Sequence, residues 1–175
     1  MQIGLVSGGF KPYHKGHHFL VEKASRENSV VKIITSTKSR DDVNGEAMKV
    51  VWSDIIMPLM PLPNVDLEIT VSPVGKTFEY LDNLEAGLLP SGTVLNIYAG
   101  QKDLNIRFRD EYMYRKYPKS MAAGTIIRSP IARGVESPKV SGESMREQLD
   151  DVASFKDGLP DFLKSQADII MQLLV

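Results

Sequence analysis

The chain has 175 residues, of which 42% are hydrophobic and 25% are charged, so it is long enough to bury the core of one domain. Its formal net charge of -1 gives no global attraction to nucleic acid or to an anionic membrane surface. The absence of cysteine excludes a disulfide framework, a thiolate zinc site and a cysteine nucleophile. No apolar run approaches the length of a membrane span, and the N-terminus does not resemble a signal peptide. We therefore expect a soluble, cytoplasmic protein that forms a single domain over residues 1–175.

Apolar and alternating runs predict five strands, at 2–7, 30–35, 65–71, 93–99 and 124–128. The intervening segments predict helices beginning near 15, 46, 77, 104 and 141, followed by one amphipathic helix over 159–175. Strands that alternate with helices predict an α/β fold with a doubly wound, Rossmann-like parallel sheet of five strands and helices on both faces. The C-terminal part, from about residue 147, is expected to be a helical tail.

Ligands of such folds bind outside the carboxyl ends of the strands. Three polar loops are predicted to lie there: 8–17, 36–44 and 100–103. The sequence therefore predicts where a site lies before it predicts what the site binds.

The first of these loops combines a glycine-rich turn with a helix start. All three histidines of the chain lie in or next to it, in the run Ser-Gly-Gly-Phe-Lys-Pro-Tyr-His-Lys-Gly-His-His at 7–18. Gly8 and Gly9 allow the backbone to approach a ligand closely. The helix start adds unpaired N–H groups and the positive end of the helix dipole, which together favour an anion.

His14 and His17 are three residues apart at this helix start, so both imidazoles can face one ligand. Such a pair suits stabilisation of a phosphoryl group in transfer, because imidazole donates hydrogen bonds to phosphate oxygens. The alternative is that the histidines only cap and solvate the helix. We favour the phosphoryl hypothesis because the pair follows two glycines in a strand-to-helix connection.

The segment 9–17, Gly-Phe-Lys-Pro-Tyr-His-Lys-Gly-His, resembles the first signature of the HxGH nucleotidyltransferase superfamily. The form it is most similar to is that of archaeal-type nicotinamide-nucleotide adenylyltransferases and their viral relatives. The resemblance implies that His14 and His17 contact a triphosphate and that backbone N–H groups around Gly9 and Phe10 line its path. Lys11 replaces a glutamine, and it either contributes a phosphate-binding charge or faces solvent.

A second signature of that superfamily, Ser-Ser/Gly-Thr-x-x-Arg, is similar to the segment 141–146, Ser-Gly-Glu-Ser-Met-Arg. Ser141 suits the N-cap position of a helix. The resemblance implies that Arg146 grips the β- and γ-phosphates, with Ser141, Gly142 and Ser144 beside them. Glu143 replaces threonine and adds a negative charge. An ordinary capping box is the alternative interpretation of this helix start.

Further contacts are predicted in the loops at the same edge. Asp103 either binds a ribose hydroxyl or caps the helix that follows it. Arg128 and Arg133, in the segment before the second motif, are candidates to bind an acceptor phosphate, and so is the polar segment 36–40. The basic residues between 107 and 119 suggest a nucleic-acid surface, but acidic residues interrupt them, so nucleic acid is not expected as a partner.

The resemblance implies an enzyme that transfers a nucleoside monophosphate, with AMP favoured, from an NTP to a small phosphorylated acceptor and releases pyrophosphate. Nicotinamide mononucleotide is the leading acceptor. Mg²⁺ is the expected cofactor, bound mainly through the NTP phosphates and not by a dedicated protein site. The alternatives are a cytidylyltransferase that uses CTP and a nucleotide-binding or regulatory protein with little or no turnover. No membrane partner is expected, and the oligomeric state is open between a monomer and a homo-oligomer.

Overall fold

A computed structural model describes residues 1–131 and 138–175. It contains one parallel sheet of five strands in the order β3-β2-β1-β4-β5, which confirms the predicted fold class. The strands are β1 (Gln2–Ser7), β2 (Val30–Thr35), β3 (Val65–Ile69), β4 (Val94–Gly100) and β5 (Ile126–Ile131).

Helices connect the strands and complete the C-terminal part. They are α1 (Lys15–Glu27), α2 (Gly45–Val51), α3 (Met57–Leu59), α4 (Pro73–Glu85), α5 (Gln101–Arg107), α6 (Asp110–Lys116), α7 (Pro118–Ala123), α8 (Gly142–Glu147), α9 (Val152–Gly158) and α10 (Ala167–Leu174). A π-helical turn, Trp52–Ile56, joins α2 to α3, and a 3-10 helix, Asp161–Gln166, precedes α10. Within the described residues, no helix is long and apolar enough to cross a membrane.

The sheet separates two apolar clusters, and the alternation of β1 shows how. Val6 packs in the cluster with residues of α1, α2, α9 and α10. Ile3 and Leu5 pack in the other, with residues of α4, α5, α6 and α7. Because successive side chains of a strand point to opposite faces, β1 is covered by helices on both sides, as expected for a central strand of a doubly wound sheet.

Two predicted helices have different limits in the structure. The helix predicted to begin near residue 104 is two helices, because the chain leaves helical geometry at Phe108 and Arg109. Pro118 follows the end of α6 and begins α7, where its missing N–H costs no hydrogen bond. The predicted tail helix over 159–175 is a 3-10 helix followed by α10, with α9 before them.

Two further boundaries bear on the site. The helix after β3 begins at Pro73, earlier than the predicted start near residue 77, and is capped by Ser72, whose hydroxyl accepts the N–H of Gly75. The fifth strand begins two residues later than predicted and runs to Ile131. Arg128, the last residue of the predicted strand, therefore lies inside β5 and not at its end.

The start of α2 is packed against the loop after β2. A Cβ at Gly45 would stand 1.7 Å from the carbonyl oxygen of Thr37, which is backbone and cannot rotate away. The Gly45→Ala variant should therefore lose about 1–3 kcal/mol of unfolding free energy, the usual range for an overpacked position. Urea unfolding of this variant, with Lys49→Ala on the exposed side of the same helix as control, measures the effect. Equal stabilities for the two variants would contradict this packing.

Candidate active site

A cavity of about 370 Å³ lies outside the carboxyl ends of β1 and β4. The strand order changes direction between them, since β2 and β3 lie on one side of β1 while β4 and β5 lie on the other. Such a switch point is where open α/β sheets bind ligands. The predicted site residues that line this cavity are Gly8, Gly9, Phe10, Lys11, His14, His17, Asp103, Ser141, Gly142 and Arg146.

The loop between β1 and α1 forms the floor of the cavity. The N–H of Gly8 donates to the carbonyl of Ile34 at 3.0 Å, which ties the loop to β2. Apart from Gly9 and its two chain neighbours, no described atom lies within 4 Å of the place where a Cβ of Gly9 would stand, so this backbone is open to a ligand. The left-handed backbone conformation belongs to Phe10 (φ 48°) and not to either glycine. The buried ring of Phe10 packs edge-on to His17, with centroids 4.7 Å apart, and this packing helps to hold the unfavourable conformation.

His14 and His17 form a reciprocal cap at the start of α1. His14 is the N-cap residue, and its Nδ1 accepts the N–H groups of Gly16 at 3.1 Å and His17 at 3.3 Å. The Nδ1 of His17 accepts the N–H of His14 at 3.3 Å, and the two rings stack with centroids 3.5 Å apart. A ring nitrogen that accepts a hydrogen bond carries no proton, so each ring has its proton on Nε2. The reciprocal cap therefore orients two Nε2–H donors, one on each histidine, and both histidines line the cavity.

Lys11 lies beneath the loop and does not face solvent. Only 3% of the residue is exposed, and its Nζ donates to the carbonyl oxygens of Gly9 at 2.6 Å and Ser36 at 2.7 Å. Burial lowers the pKa of Lys11 to about 8, because the ammonium loses hydration. The alternative prediction that Lys11 faces solvent is therefore wrong. Its ammonium group lies at the cavity wall, and with a pKa of about 8 it is deprotonated in part of the molecules near neutral pH.

Ser141 caps α8 at the opposite wall. Its Oγ accepts the N–H of Ser144 at 3.1 Å, and the hydroxyl of Ser144 accepts the N–H of Ser141 at 3.2 Å. This is the capping box that the sequence left open as an alternative. It occupies the hydroxyl of Ser144, and in the described chain Ser144 is not part of the cavity lining.

Arg146 extends from α8 toward the loop that carries the histidines. Its Nη1 donates to the carbonyl of Lys11 at 2.9 Å, and its Nε donates to the carboxylate of Asp41 at 2.7 Å. The guanidinium lies so close to Gly142 that a Cβ there would be 2.8 Å from Nη1. The glycine of the second motif therefore leaves the space that the arginine fills. Two motifs separated by more than a hundred residues meet in this way at one cavity.

Asp103 lines the cavity but does not cap a helix. Gly100 is the N-cap residue of α5, which begins at Gln101, and Asp103 lies exposed in its first turn. The predicted N-cap role is wrong because the helix starts earlier than the sequence pattern suggests. The contact with a ribose hydroxyl stays a prediction.

Of the two arginines predicted to bind an acceptor phosphate, Arg128 does not line this cavity. Arg128 donates from Nη1 to the carbonyl of Phe108 at 2.8 Å and forms an ion pair with Asp110. It lines a separate, wider depression beside β5. Arg133 lies outside the described residues.

Arg40 and Asp41 are the functional candidates that the sequence does not single out. Arg40 lines the cavity and was predicted only as one member of the polar segment 36–40. Its N–H and carbonyl each pair with Val43 at 3.0 Å, and this tight turn gives Asp41 a φ of 50°. The contact between Asp41 and Arg146 joins residues 105 apart in sequence, so no local pattern could reveal it.

Tyr13 and His18 form a buried hydrogen bond behind the histidine pair, with 2.8 Å between the hydroxyl and Nδ1. Burial raises the pKa of Tyr13, and the charge of Glu22 raises it further. Burial lowers the pKa of His18, an effect that the carboxylates of Glu22 and Asp161 oppose. Tyr13 is therefore the donor and neutral His18 the acceptor. The ring of Tyr13 also stacks on His17, with centroids 5.9 Å apart. The hydrogen-bonded pair of Tyr13 and His18 therefore packs against His17 and restricts the position of its ring.

Solved structures with the same fold include nucleotide adenylyltransferases. The chain superposes on the nicotinic acid mononucleotide adenylyltransferase of Plasmodium falciparum, solved with APC, with a TM-score of 0.63 and 14% identity over 98% of this chain and 96% of that one. A Vibrio parahaemolyticus protein described as a nicotinate-nucleotide adenylyltransferase gives a TM-score of 0.56 and 15% identity, over 95% and 97%. A bifunctional NMN adenylyltransferase/ADP ribose pyrophosphatase of Francisella tularensis gives 0.59 and 17%, over 98% of this chain but only 49% of that one.

A second structure of the Francisella enzyme contains AMP and manganese. No family model matches the chain, and no curated protein matches it by sequence. At 14–17% identity the likeness is one of fold. The chain thus has the Rossmann-like fold of nucleotidyltransferases, as its motifs predicted.

His18 should make the stability of the fold depend on pH. Because its pKa is lower in the folded chain than in the unfolded one, the unfolded chain binds more protons, and stability falls as the pH drops below about 6.5. The His18→Asn variant keeps an acceptor near Nδ1 but cannot titrate. Urea unfolding at pH 5.5 and 7.5 should show a smaller loss of stability for His18→Asn than for the unmodified chain.

Tyr13→Phe is the matched control, since it removes the hydrogen bond and leaves the titrating ring in place. An equal pH dependence in the unmodified chain and His18→Asn would show that His18 is not the responsible group.

Proposed function

We propose that the protein is a nucleotidyltransferase that transfers AMP from ATP to a small phosphorylated acceptor and releases pyrophosphate. The observation that carries the proposal is the meeting of His14, His17 and Arg146 at one cavity at the switch point of the sheet. The shared fold supports it, because the solved neighbours are named for adenylyl transfer to mononucleotides.

The reaction is an in-line displacement at phosphorus. An oxygen of the acceptor's phosphate attacks the α-phosphorus of ATP, and a new P–O bond forms there. The bond from the α-phosphorus to the oxygen that bridges it to the β-phosphorus breaks, and pyrophosphate leaves with that oxygen. The acceptor phosphate is already an anion at neutral pH, so no general base is required. Catalysis of this kind depends on positioning and on charge stabilisation.

The residues of the cavity divide these tasks. The Nε2–H groups of His14 and His17 donate to phosphate oxygens whose charge grows in the transition state. Arg146 binds the β- and γ-phosphates with the planar, multiple donors of its guanidinium. Lys11 adds positive charge beneath the loop, and the start of α1 adds the positive end of its dipole. We propose no covalent intermediate, because none of these groups is an activated nucleophile.

Mg²⁺ fits this site as a companion of the nucleotide. In the described residues no group of three or more histidine and carboxylate side chains could hold a metal ion. Asp103 and Glu143 each place one carboxylate on the cavity wall, which suits contact with waters of a phosphate-bound ion better than a complete protein cage. Bound there, the ion neutralises phosphate charge.

The acceptor that we favour is nicotinamide mononucleotide or its acid, a choice supported by the motif resemblance and by the solved neighbours. For its phosphate we favour Arg40, which lines the cavity, over Arg128, whose guanidinium is paired with Asp110. CTP in place of ATP is the alternative within the class.

A second function has one observation in its favour. Glu143 is exposed on the cavity wall, where the resembling motif has threonine, and its charge opposes that of a triphosphate. A protein that binds nucleotide without turnover would tolerate this residue.

A screen for pyrophosphate release separates these functions. ATP and CTP are each supplied with Mg²⁺ and with nicotinamide mononucleotide, its acid or other phosphate monoesters, and the products are identified by mass. The proposal predicts acceptor-dependent release from ATP together with a dinucleotide product. Release from CTP alone would indicate the cytidylyltransferase. Binding of ATP without release from any pair would indicate the nucleotide-binding protein, and no binding at all would contradict both functions.

The His17→Ala variant should lose activity and keep its fold. Removal of one donor to the transition state lowers kcat roughly 100-fold or more. Steady-state kinetics measure this loss, and circular dichroism verifies the fold. His17→Asn is the matched variant, because its amide oxygen can still accept the N–H of His14 while the Nε2 donor is absent. Normal turnover by either variant would remove His17 from catalysis.

A further inference from the structure

Arg146 already has an anionic partner inside the protein. Its Nε donates to Oδ2 of Asp41 at 2.7 Å, and its Nη1 donates to the carbonyl of Lys11. The two sides of this ion pair differ in exposure: 8% of the arginine side chain is exposed, against 65% of the aspartate side chain. The guanidinium is thus held by one fixed backbone acceptor and by one carboxylate at the surface.

The turn that carries Asp41 holds this carboxylate in reach. Arg40 and Val43 pair through both of their backbone hydrogen bonds, and Asp41 between them has a φ of 50°. Aspartate and asparagine tolerate this conformation better than other residues with a side chain. The N–H of Gly45 donates to the hydroxyl of Ser39 at 2.9 Å, which fixes the loop beyond the turn. An exposed carboxylate so placed can return to water at small cost.

A carboxylate and a phosphate use the same donors of a guanidinium. A nucleotide whose β- and γ-phosphates bind Arg146 through Nε therefore displaces Asp41 from that donor. We propose that Asp41 is an intramolecular competitor of these phosphates and determines how tightly the site binds triphosphate and pyrophosphate. This inference rests on the proposed function, which assigns Arg146 to the phosphates.

In such a competition, the apparent affinity for the ligand is the intrinsic affinity multiplied by the fraction of molecules in which Arg146 is not paired with Asp41. It acts on ligands that reach Arg146, so ATP and pyrophosphate are weakened while AMP, which lacks the β- and γ-phosphates, is not. The same contact assists release of the product. When pyrophosphate leaves, Asp41 takes its place, so the largely buried guanidinium is not left without an anion.

Calorimetric titration of the full chain with ATP, pyrophosphate and AMP, each in the presence of Mg²⁺, tests the proposal. The Asp41→Asn variant keeps a residue that tolerates positive φ and removes the charge. At low salt it should bind ATP and pyrophosphate roughly three- to tenfold more tightly, with AMP unchanged. The gain should shrink as salt is raised, because salt screens the ion pair in the unmodified chain.

Asp42→Asn is the matched control. It makes the same change of charge at the next, exposed residue, which lies outside ion-pair distance of Arg146. An equal gain in Asp42→Asn would mean that net charge alone is responsible and would overturn the inference. Unchanged or weaker ATP binding by Asp41→Asn would also overturn it, since Asp41 would then be neutral or would position Arg146 for the ligand.

The Arg146→Ala background separates this inference from the proposed function. Arg146→Ala alone should weaken ATP and pyrophosphate binding, and the addition of Asp41→Asn should then give no gain, because the pair no longer exists. A gain that persists without Arg146 contradicts the competition. Failure of the unmodified chain and of Asp41→Asn to bind ATP contradicts the proposed function itself.

Discussion

The reciprocal cap at the start of α1 is the interaction on which the site depends. A helix start has N–H groups that need acceptors, and here the acceptors are the Nδ1 atoms of His14 and His17. Their use as caps determines that each proton is on Nε2 and stacks the rings 3.5 Å apart. One nitrogen of each ring thus stabilises the helix, and the other carries the proton that the proposed chemistry uses. The two interpretations of the motif, helix cap and phosphate ligand, are therefore compatible.

The rest of the cavity lining combines positive and negative side chains. The ammonium group of Lys11 donates to two carbonyl oxygens, whereas Arg146 is paired with the exposed carboxylate of Asp41. Asp103 and Glu143 add two further carboxylates to the lining. The proposed exchange of a metal-bound triphosphate with Asp41 is consistent with a lining in which positive and negative side chains are mixed.

The sequence was sufficient for the parts of the fold that depend on local pattern. The alternation and β-branched content of the strands, and the capping residues of α1 and α8, predicted the sheet and both walls of the cavity. The errors arose where tertiary packing decides. The break near Phe108 is not visible in a run of charged residues that continues on both sides. The burial of Lys11 and the contact of Asp41 with Arg146 depend on groups distant in sequence, and no periodicity encodes them.

The position of the histidine protons is the central claim that is most directly measurable. The chain has only three histidines, so proton–nitrogen correlation spectra of the ring nitrogens can be assigned with the His18→Asn variant. The account predicts that His14 and His17 carry their protons on Nε2, and that both rings shift when ATP and Mg²⁺ are added while His18 changes little. Protons on Nδ1 of His14 or His17, or a response confined to His18, would contradict it.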